Sequence, residues 1–266
     1  MRVAPARKFG NEMSDQIKFV ILAGPRTGST YLVDYLNAVP DTRCFSELFQ
    51  TGRIDFRHHQ PADSRLQDVT FRDRQPIAFL SLAAEEVKPC PRFGFKIVPD
   101  PQRQALFTFV QQICIDREWK KIYLWRDNLF EQAVSFLLAE RQFGKGVWER
   151  TPDQTRITIS PRELLAVLHL LQREYLAIEA ALGAADGDDL FSLEYTDLGR
   201  PAVMGDLLRF LDVPQTLIDD RIAGTGRDRE LDFNRGPALA DRIENYREIR
   251  DFLLNSRYRR FIMQSA

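Results

Sequence analysis

The sequence predicts an α/β fold, with a mostly parallel central sheet flanked by helices in three layers. Three observations carry this expectation. Short, nearly continuous apolar runs at 17–23, 93–98, 121–125 and 190–194 read as strands buried on both faces. Stretches with helix-spaced apolar residues separate them, and strands alternating with helices imply parallel pairing with both faces covered. The chain of 266 residues, 44% hydrophobic and 28% charged, has the size and composition of one large soluble domain. No repeat, low-complexity tract or linker divides it, so one domain over residues 1–266 is expected, with residues 1–16 as a flexible N-terminal segment.

The first strand, Ile17-Lys18-Phe19-Val20-Ile21-Leu22-Ala23, runs into a Gly-Pro-Arg-Thr-Gly turn. Tyr31, Leu32, Tyr35 and Leu36 then recur at helix spacing until Pro40, where a helix must stop. Residues 51–74 are polar, Arg-rich and weakly periodic. They read equally as a lid or substrate loop and as a plain surface insertion. The strand at 93–98 ends at Pro99 and Pro101, and 105–115 reads as a helix. The strand at 121–125 meets Arg126-Asp127-Asn128 and a helix bearing Phe130, Val134, Leu137 and Leu138. Ser160-Pro161-Arg162-Glu163 has the cap, the first-turn proline and the returning glutamate of a capping box. That helix is expected to reach Gly183 as a left-handed stop. Helices at 202–211 and 238–254 follow the last strand.

A net charge of −1 provides no global basic field for nucleic acid, so attraction for an anionic ligand must be local. Residues 1–16 lack the apolar core of a secretory signal, and no apolar run approaches the ~20 residues of a membrane span. Cys44, Cys90 and Cys114 show no metal spacing and cannot all pair. The expectation is a cytoplasmic protein with free thiols and no metal.

The chemistry starts at residues 24–30. A strand, a glycine turn and a helix opening in Ser/Thr point successive N–H groups and the positive helix end at one spot. Arg26 adds a charged fork, and Ser29 and Thr30 add hydroxyls. This makes the fold P-loop-like, with a departure. The nucleotide-triphosphatase loop has four residues between its glycines and then Lys-Ser/Thr. Here three lie between Gly24 and Gly28, and Ser29 follows with no lysine. The strand at 121–125 ends in arginine rather than a magnesium-binding aspartate. A bland reading of the loop is a sheet-to-helix turn with an exposed arginine.

Pro25-Arg26-Thr27-Gly28-Ser29-Thr30-Tyr31-Leu32 after a buried strand resembles the loop with which sulfotransferases hold the 5′-phosphosulfate of 3′-phosphoadenosine-5′-phosphosulfate. The Arg-Thr-Gly-Ser-Thr form is similar to the carbohydrate and bacterial branches of that family. The resemblance implies that Arg26, Thr27, Gly28, Ser29 and Thr30 bind the donor's 5′ end. Arg126 at a strand end and Ser135 in the next helix resemble the family's grip on the 3′-phosphate. Taken singly, Arg126 also reads as a surface ion pair with Asp127 or Glu131, and Ser135 as an ordinary helix position.

Fainter likenesses join these two. Arg43-Cys44-Phe45-Ser46-Glu47-Leu48-Phe49, Phe93-Gly94-Phe95-Lys96 and Ile243-Glu244-Asn245-Tyr246 resemble segments of bacterial carbohydrate and glycolipid sulfotransferases. Glu194-Tyr195-Thr196-Asp197-Leu198 is similar to a family strand end whose tyrosine lies near adenine, which would be Tyr195. A late basic residue should close on the 3′-phosphate, with Arg227, Arg229 and Arg235 as candidates.

The resemblance implies an enzyme that transfers a sulfuryl group in line to a hydroxyl, on a carbohydrate or glycolipid in the bacterial branch, without metal. Catalysis would be positioning plus stabilisation of the leaving phosphate, with Arg26 against the growing charge. The acceptor hydroxyl needs a general base. Glu47 is the expected one, with His58 and His59 as alternatives and pairing with Arg43 as its bland reading. Lys96 either contacts the sulfuryl group or snorkels at its strand end, and His169 reads as structural. A P-loop kinase and a non-catalytic nucleotide-fold module are the competing functions.

Overall fold

A computed structural model describes residues 16–98, 103–143, 155–183, 187–224 and 238–263. Among these, five strands form one all-parallel sheet: β1 (Ile17–Ala23), β2 (Thr42–Glu47), β3 (Arg92–Ile97), β4 (Trp119–Trp125) and β5 (Leu190–Glu194), in the order β2-β3-β1-β4-β5. The helices that cover it are α1 (Ser29–Asn37), α2 (Val69–Arg74), α3 (Pro76–Glu86), α4 (Gln104–Ile115), α5 (Leu129–Phe143), α6 (Pro161–Leu182), α7 (Pro201–Phe210) and α8 (Gln215–Gly224). Three short helices follow: α9 (Leu239–Arg242), α10 (Tyr246–Leu254) and α11 (Arg259–Met263).

The alternation of β1 sets the layers. Phe19, Ile21 and Ala23 pack with Leu32, Val33 and Leu36 of α1 and with Met204 and Leu207 of α7. Val20 and Leu22 face the other way, onto Phe79 of α3, Phe109 and Val110 of α4, and Ile178 of α6. A third cluster joins α5 and the first half of α6 to α10 and α11. The expected three-layer α/β architecture is therefore present. No helix among the described residues is long and apolar enough to cross a membrane.

Several elements differ from expectation. The edge strand β2 follows α1 almost at once and was not anticipated, because Thr42, Arg43 and Ser46 break its apolar pattern. The helix expected over 238–254 is two helices, since Ile243 forms a parallel bridge with Ile157. Asn245 holds the break by donating Nδ2 to the Ile159 carbonyl at 2.9 Å and accepting its N–H at 3.0 Å. The Ser160 capping box is formed, but Gly183 ends α6 right-handed at φ −53°; glycine permits the left-handed region without requiring it. The 51–74 segment is not irregular throughout. Asp63 and Asp68 cap a short 3-10 turn and α2. α3, α8 and α11 carried no signal strong enough to be expected.

The chain leaves β1 through α1 toward β2 and later reaches β4 on the opposite side of β1. Ligand crevices of such sheets lie at this switch, beyond the carboxyl ends of the strands. Ala23 is in register with Leu124, so the chain leaves β1 at Gly24 beside Trp125, the last residue of β4. Both candidate anion segments begin there.

Candidate active site

The loop after β1 is held from below. Thr27 is fully buried, and its hydroxyl donates to the Gly24 carbonyl at 2.8 Å, closing the turn. Thr27 Oγ1 is thus spent on the loop itself, which leaves its backbone for any ligand. Arg26 and Gly28 both adopt left-handed backbone, at φ 60° and 79°. Gly28 is the N-cap of α1, and no side chain caps that helix. Its first N–H groups therefore remain for solvent or an anion. Ser29 is buried and Thr30 exposed.

Arg126 emerges from β4 and is 6% exposed. Its Nη2 donates to Glu131 Oε2 at 2.7 Å, and its Nη1 reaches the Arg26 carbonyl at 3.5 Å. The guanidinium lies over the Tyr195 ring, 4.0 Å from its centroid, a cation–π contact. Its Nε is buried without a hydrogen-bond partner. The pairing with Glu131 expected under the bland reading is present, but at a buried rather than a surface position. Ser135, one helical face along α5, accepts from Arg26 Nε at 3.0 Å. Arg26, Arg126, Ser135 and Tyr195 are thus in one place, although Arg26 and Ser135 are 109 residues apart in sequence.

One residue here carried no sequence signal. Burial, and next the nearby charge of Arg242 at the end of α9, lower the Arg26 guanidinium below its ordinary value, with Arg126 adding to the effect and Tyr195 opposing it. Arg242 is therefore a third cation at this site. The bridge at Ile157 and Ile243 brings it in, and a lone arginine in a short helix gives no local hint of that. Arg227, Arg229 and Arg235 lie outside the described residues.

Glu47 ends β2 and pairs with Lys96 of β3, Oε1 to Nζ at 2.8 Å, with the two side chains 17% and 5% exposed. After a register shift between Phe45 and Glu47, Glu47 stands opposite that lysine in the β2–β3 pair. Glu47 does not pair with Arg43, and Lys96 is too buried to snorkel. The loop beyond Glu47 is pinned by fully buried Arg72, whose Nη1 donates to the carbonyls of Leu48, Gln50 and Arg53 at 3.1, 2.8 and 2.6 Å.

The histidines separate. His58 Nε2 lies 3.1 Å from Asp34 Oδ1 on α1, and its side chain is 64% exposed. His59 Nε2 is 3.6 Å from Glu86 Oε1, and its ring packs on Phe45. His169 is exposed on α6 and meets Arg257 at 2.5 Å, outside this cluster. Arg57 forks onto Asp34 at 2.8 and 2.6 Å, and Arg65 pairs with Asp63. With Arg72 buried as well, these arginines of the 51–74 segment are committed within the protein.

No family model matches the chain. It is similar to nodulation protein H of Rhizobium meliloti (strain 1021), at 27% identity over 249 residues covering 91% of this chain and 94% of the relative. Nodulation protein H of Rhizobium tropici is 25% identical over 249 residues, covering 91% and 92%. Among solved structures, the crystal structure of sulfotransferase STF9 from Mycobacterium avium matches with TM-score 0.51 and 11% identity, over 90% of this chain and 75% of that one. The likeness to that solved sulfotransferase covers 90% of this chain, so the fold is the sulfotransferase one.

Proposed function

We propose that this chain, a sulfotransferase in fold, is a sulfotransferase in activity, moving a sulfuryl group from 3′-phosphoadenosine-5′-phosphosulfate to a hydroxyl. The observation that carries the reading is Arg126. A buried guanidinium with an unspent Nε beside an uncapped helix start provides two anion grips within one crevice. One nucleotide carrying both a 3′- and a 5′-phosphate matches that pair of grips.

In this reading the backbone of residues 26–30, with the hydroxyls of Ser29 and Thr30, holds the 5′-phosphate and sulfuryl oxygens. Arg26 stabilises charge as it grows on the leaving oxygen. Arg126 and Ser135 take the 3′-phosphate, Tyr195 lies beside the adenine, and Arg242 supplies the late cation. Glu47 accepts the proton of the acceptor hydroxyl, its carboxylate oriented by Lys96. One domain serves as the catalytic unit, and the reading calls for no metal.

The acceptor proposed is a carbohydrate or glycolipid hydroxyl, on the likeness of residues 43–49 to the bacterial branch. The arginines committed within 51–74 give no support to an anionic acceptor. A reducing cytoplasm fits the thiols: burial pushes Cys44 up, and Cys114 up to about 12, so both stay protonated and inert.

Calorimetry with 3′,5′-adenosine bisphosphate, 5′-AMP and ATP–magnesium tests the reading on wild type and Arg126→Ala. The bisphosphate should bind best, and the variant should lose about 100-fold of that affinity, the scale of a charge-assisted pair. Preference for ATP–magnesium would mark a kinase, and equal or no binding of all three a non-catalytic module.

A further inference from the structure

Between the two anion grips runs a half-buried hydrogen-bond chain. The backbone N–H of Arg126 donates to the Tyr175 hydroxyl at 2.9 Å. That hydroxyl donates to Gln132 Oε1 at 2.9 Å. Gln132 Nε2 in turn donates to the Pro25 carbonyl at 2.7 Å. Gln132 at its centre is fully buried, and both of its amide atoms find partners inside the protein.

We propose that Gln132 and Tyr175 are positioning residues, which fix the phosphate loop at a set distance from Arg126 so that one ligand can engage both. The proposal rests on the two-anion reading of the site. Its physical basis is peptide geometry. In a trans peptide the N–H lies opposite the carbonyl. Holding the Pro25 carbonyl toward α5 therefore sends the Arg26 N–H to the other side. The Arg26 carbonyl, turned toward Arg126 Nη1, does the same for the Thr27 N–H. Arg26 sits at φ 60°, a region costly for a residue with a Cβ. Such a conformation persists only where surrounding contacts over-determine it, and Gln132 is one of those contacts.

The polarity of the chain is also fixed. Burial pushes the Tyr175 phenol up to about 12, so it keeps its proton and donates to Gln132. The glutamine then has one consistent orientation, with its oxygen on Tyr175 and its NH2 on Pro25. Gln132 and Ser135 stand three residues apart on α5. The same helix face thus holds the Pro25 carbonyl and the Arg26 guanidinium.

The test compares full-length wild type, Gln132→Leu, Gln132→Glu and Tyr175→Phe. Calorimetry gives the preference for 3′,5′-adenosine bisphosphate over 5′-AMP, and amide hydrogen exchange follows residues 24–30 without nucleotide. A single phosphate lets a loosened loop relax onto it, whereas two phosphates demand the spacing. Gln132→Leu should therefore lower the preference about tenfold, the worth of one lost hydrogen bond. Gln132→Glu, which keeps size but lacks the donor, should follow Leu rather than wild type. Tyr175→Phe should show a smaller loss in the same direction.

Exchange at Arg26 and Thr27 should speed up about tenfold in Gln132→Leu on the same footing. Equal weakening of both nucleotides with a fall in Tm, or unchanged exchange, would overturn the proposal in favour of a purely structural network. If wild type itself shows no preference for the bisphosphate, the two-anion reading has failed. Loop exchange then decides alone whether the chain positions the loop.

Discussion

Glu131 holds Arg126: its Oε2 accepts from Nη2 at 2.7 Å, five residues further along the chain at the start of α5. The carboxylate is 35% exposed and the guanidinium 6%. An anion arriving at Arg126 therefore meets a cation already partly neutralised, and a like charge beside it. The resting site is self-compensated, which offsets the cost of burying an arginine.

Glu131→Gln should tighten 3′,5′-adenosine bisphosphate roughly three- to tenfold, because removing one charge within a few ångström is worth about 1 kcal/mol at a partly exposed site. Arg126 keeps its place through the Tyr195 ring and the Arg26 carbonyl. Calorimetry at two salt concentrations checks this, since the gain should shrink at high salt.

Glu47→Gln should lower kcat by about 10²–10⁴, the usual worth of a general base, with bisphosphate affinity unchanged within twofold. His58→Ala should retain turnover. Initial-rate kinetics with a sugar acceptor decide between the two, and a loss confined to His58→Ala would transfer the role of base.

Arg242→Ala should weaken the bisphosphate about fivefold and relieve the depression of Arg26, whose second cause is the Arg242 charge. The magnitude follows the worth of one partly exposed charge pair. Unaltered binding would remove Arg242 from the donor site.

Asp34 sets an acid limit on stability. Burial pushes its carboxyl up, but the Arg57 fork outweighs this, and with His58 it holds the group below its ordinary value. A depressed carboxyl contributes stability that is present above the unfolded value, near 3.9, and is lost as pH falls through the folded value. Urea midpoints measured between pH 6 and pH 3 should fall for wild type, and fall less for Asp34→Asn. Parallel curves would contradict the assignment.

Gly94→Ala should destabilise the protein by roughly 1–3 kcal/mol through overpacking. A Cβ at Gly94 would collide with the Phe19 ring, across the β1–β3 pair. The glycine in Phe93-Gly94-Phe95-Lys96 thus makes room for a ring rather than for a ligand. Denaturant unfolding measures the loss, and Phe19→Leu should partly restore stability in the double variant.

Much of the fold was legible because it is written in neighbouring residues. The apolar run of β1 and its glycine turn, the strand leading into Arg126 and the capping box at Ser160 are all local signals. They survive in the structure because no tertiary contact opposes them. β2 was illegible because an edge strand needs only part of the apolar pattern, and its pairing with β3 decides its state. The break at 243–245 was illegible for a related reason. Its partner lies 86 residues earlier, at Ile159.

By itself the sequence determined where strands meet helices, which junctions carry arginines and glycines, and hence the class of the fold. Only tertiary structure decided the sheet order, the meeting of Arg26 with Ser135, the pairing of Glu47 with Lys96, the arrival of Arg242 and the Gln132–Tyr175 chain. The division follows the reach of the forces. Periodicity, caps and turns act over a few residues, whereas these contacts join residues tens to a hundred positions apart once the layers have packed.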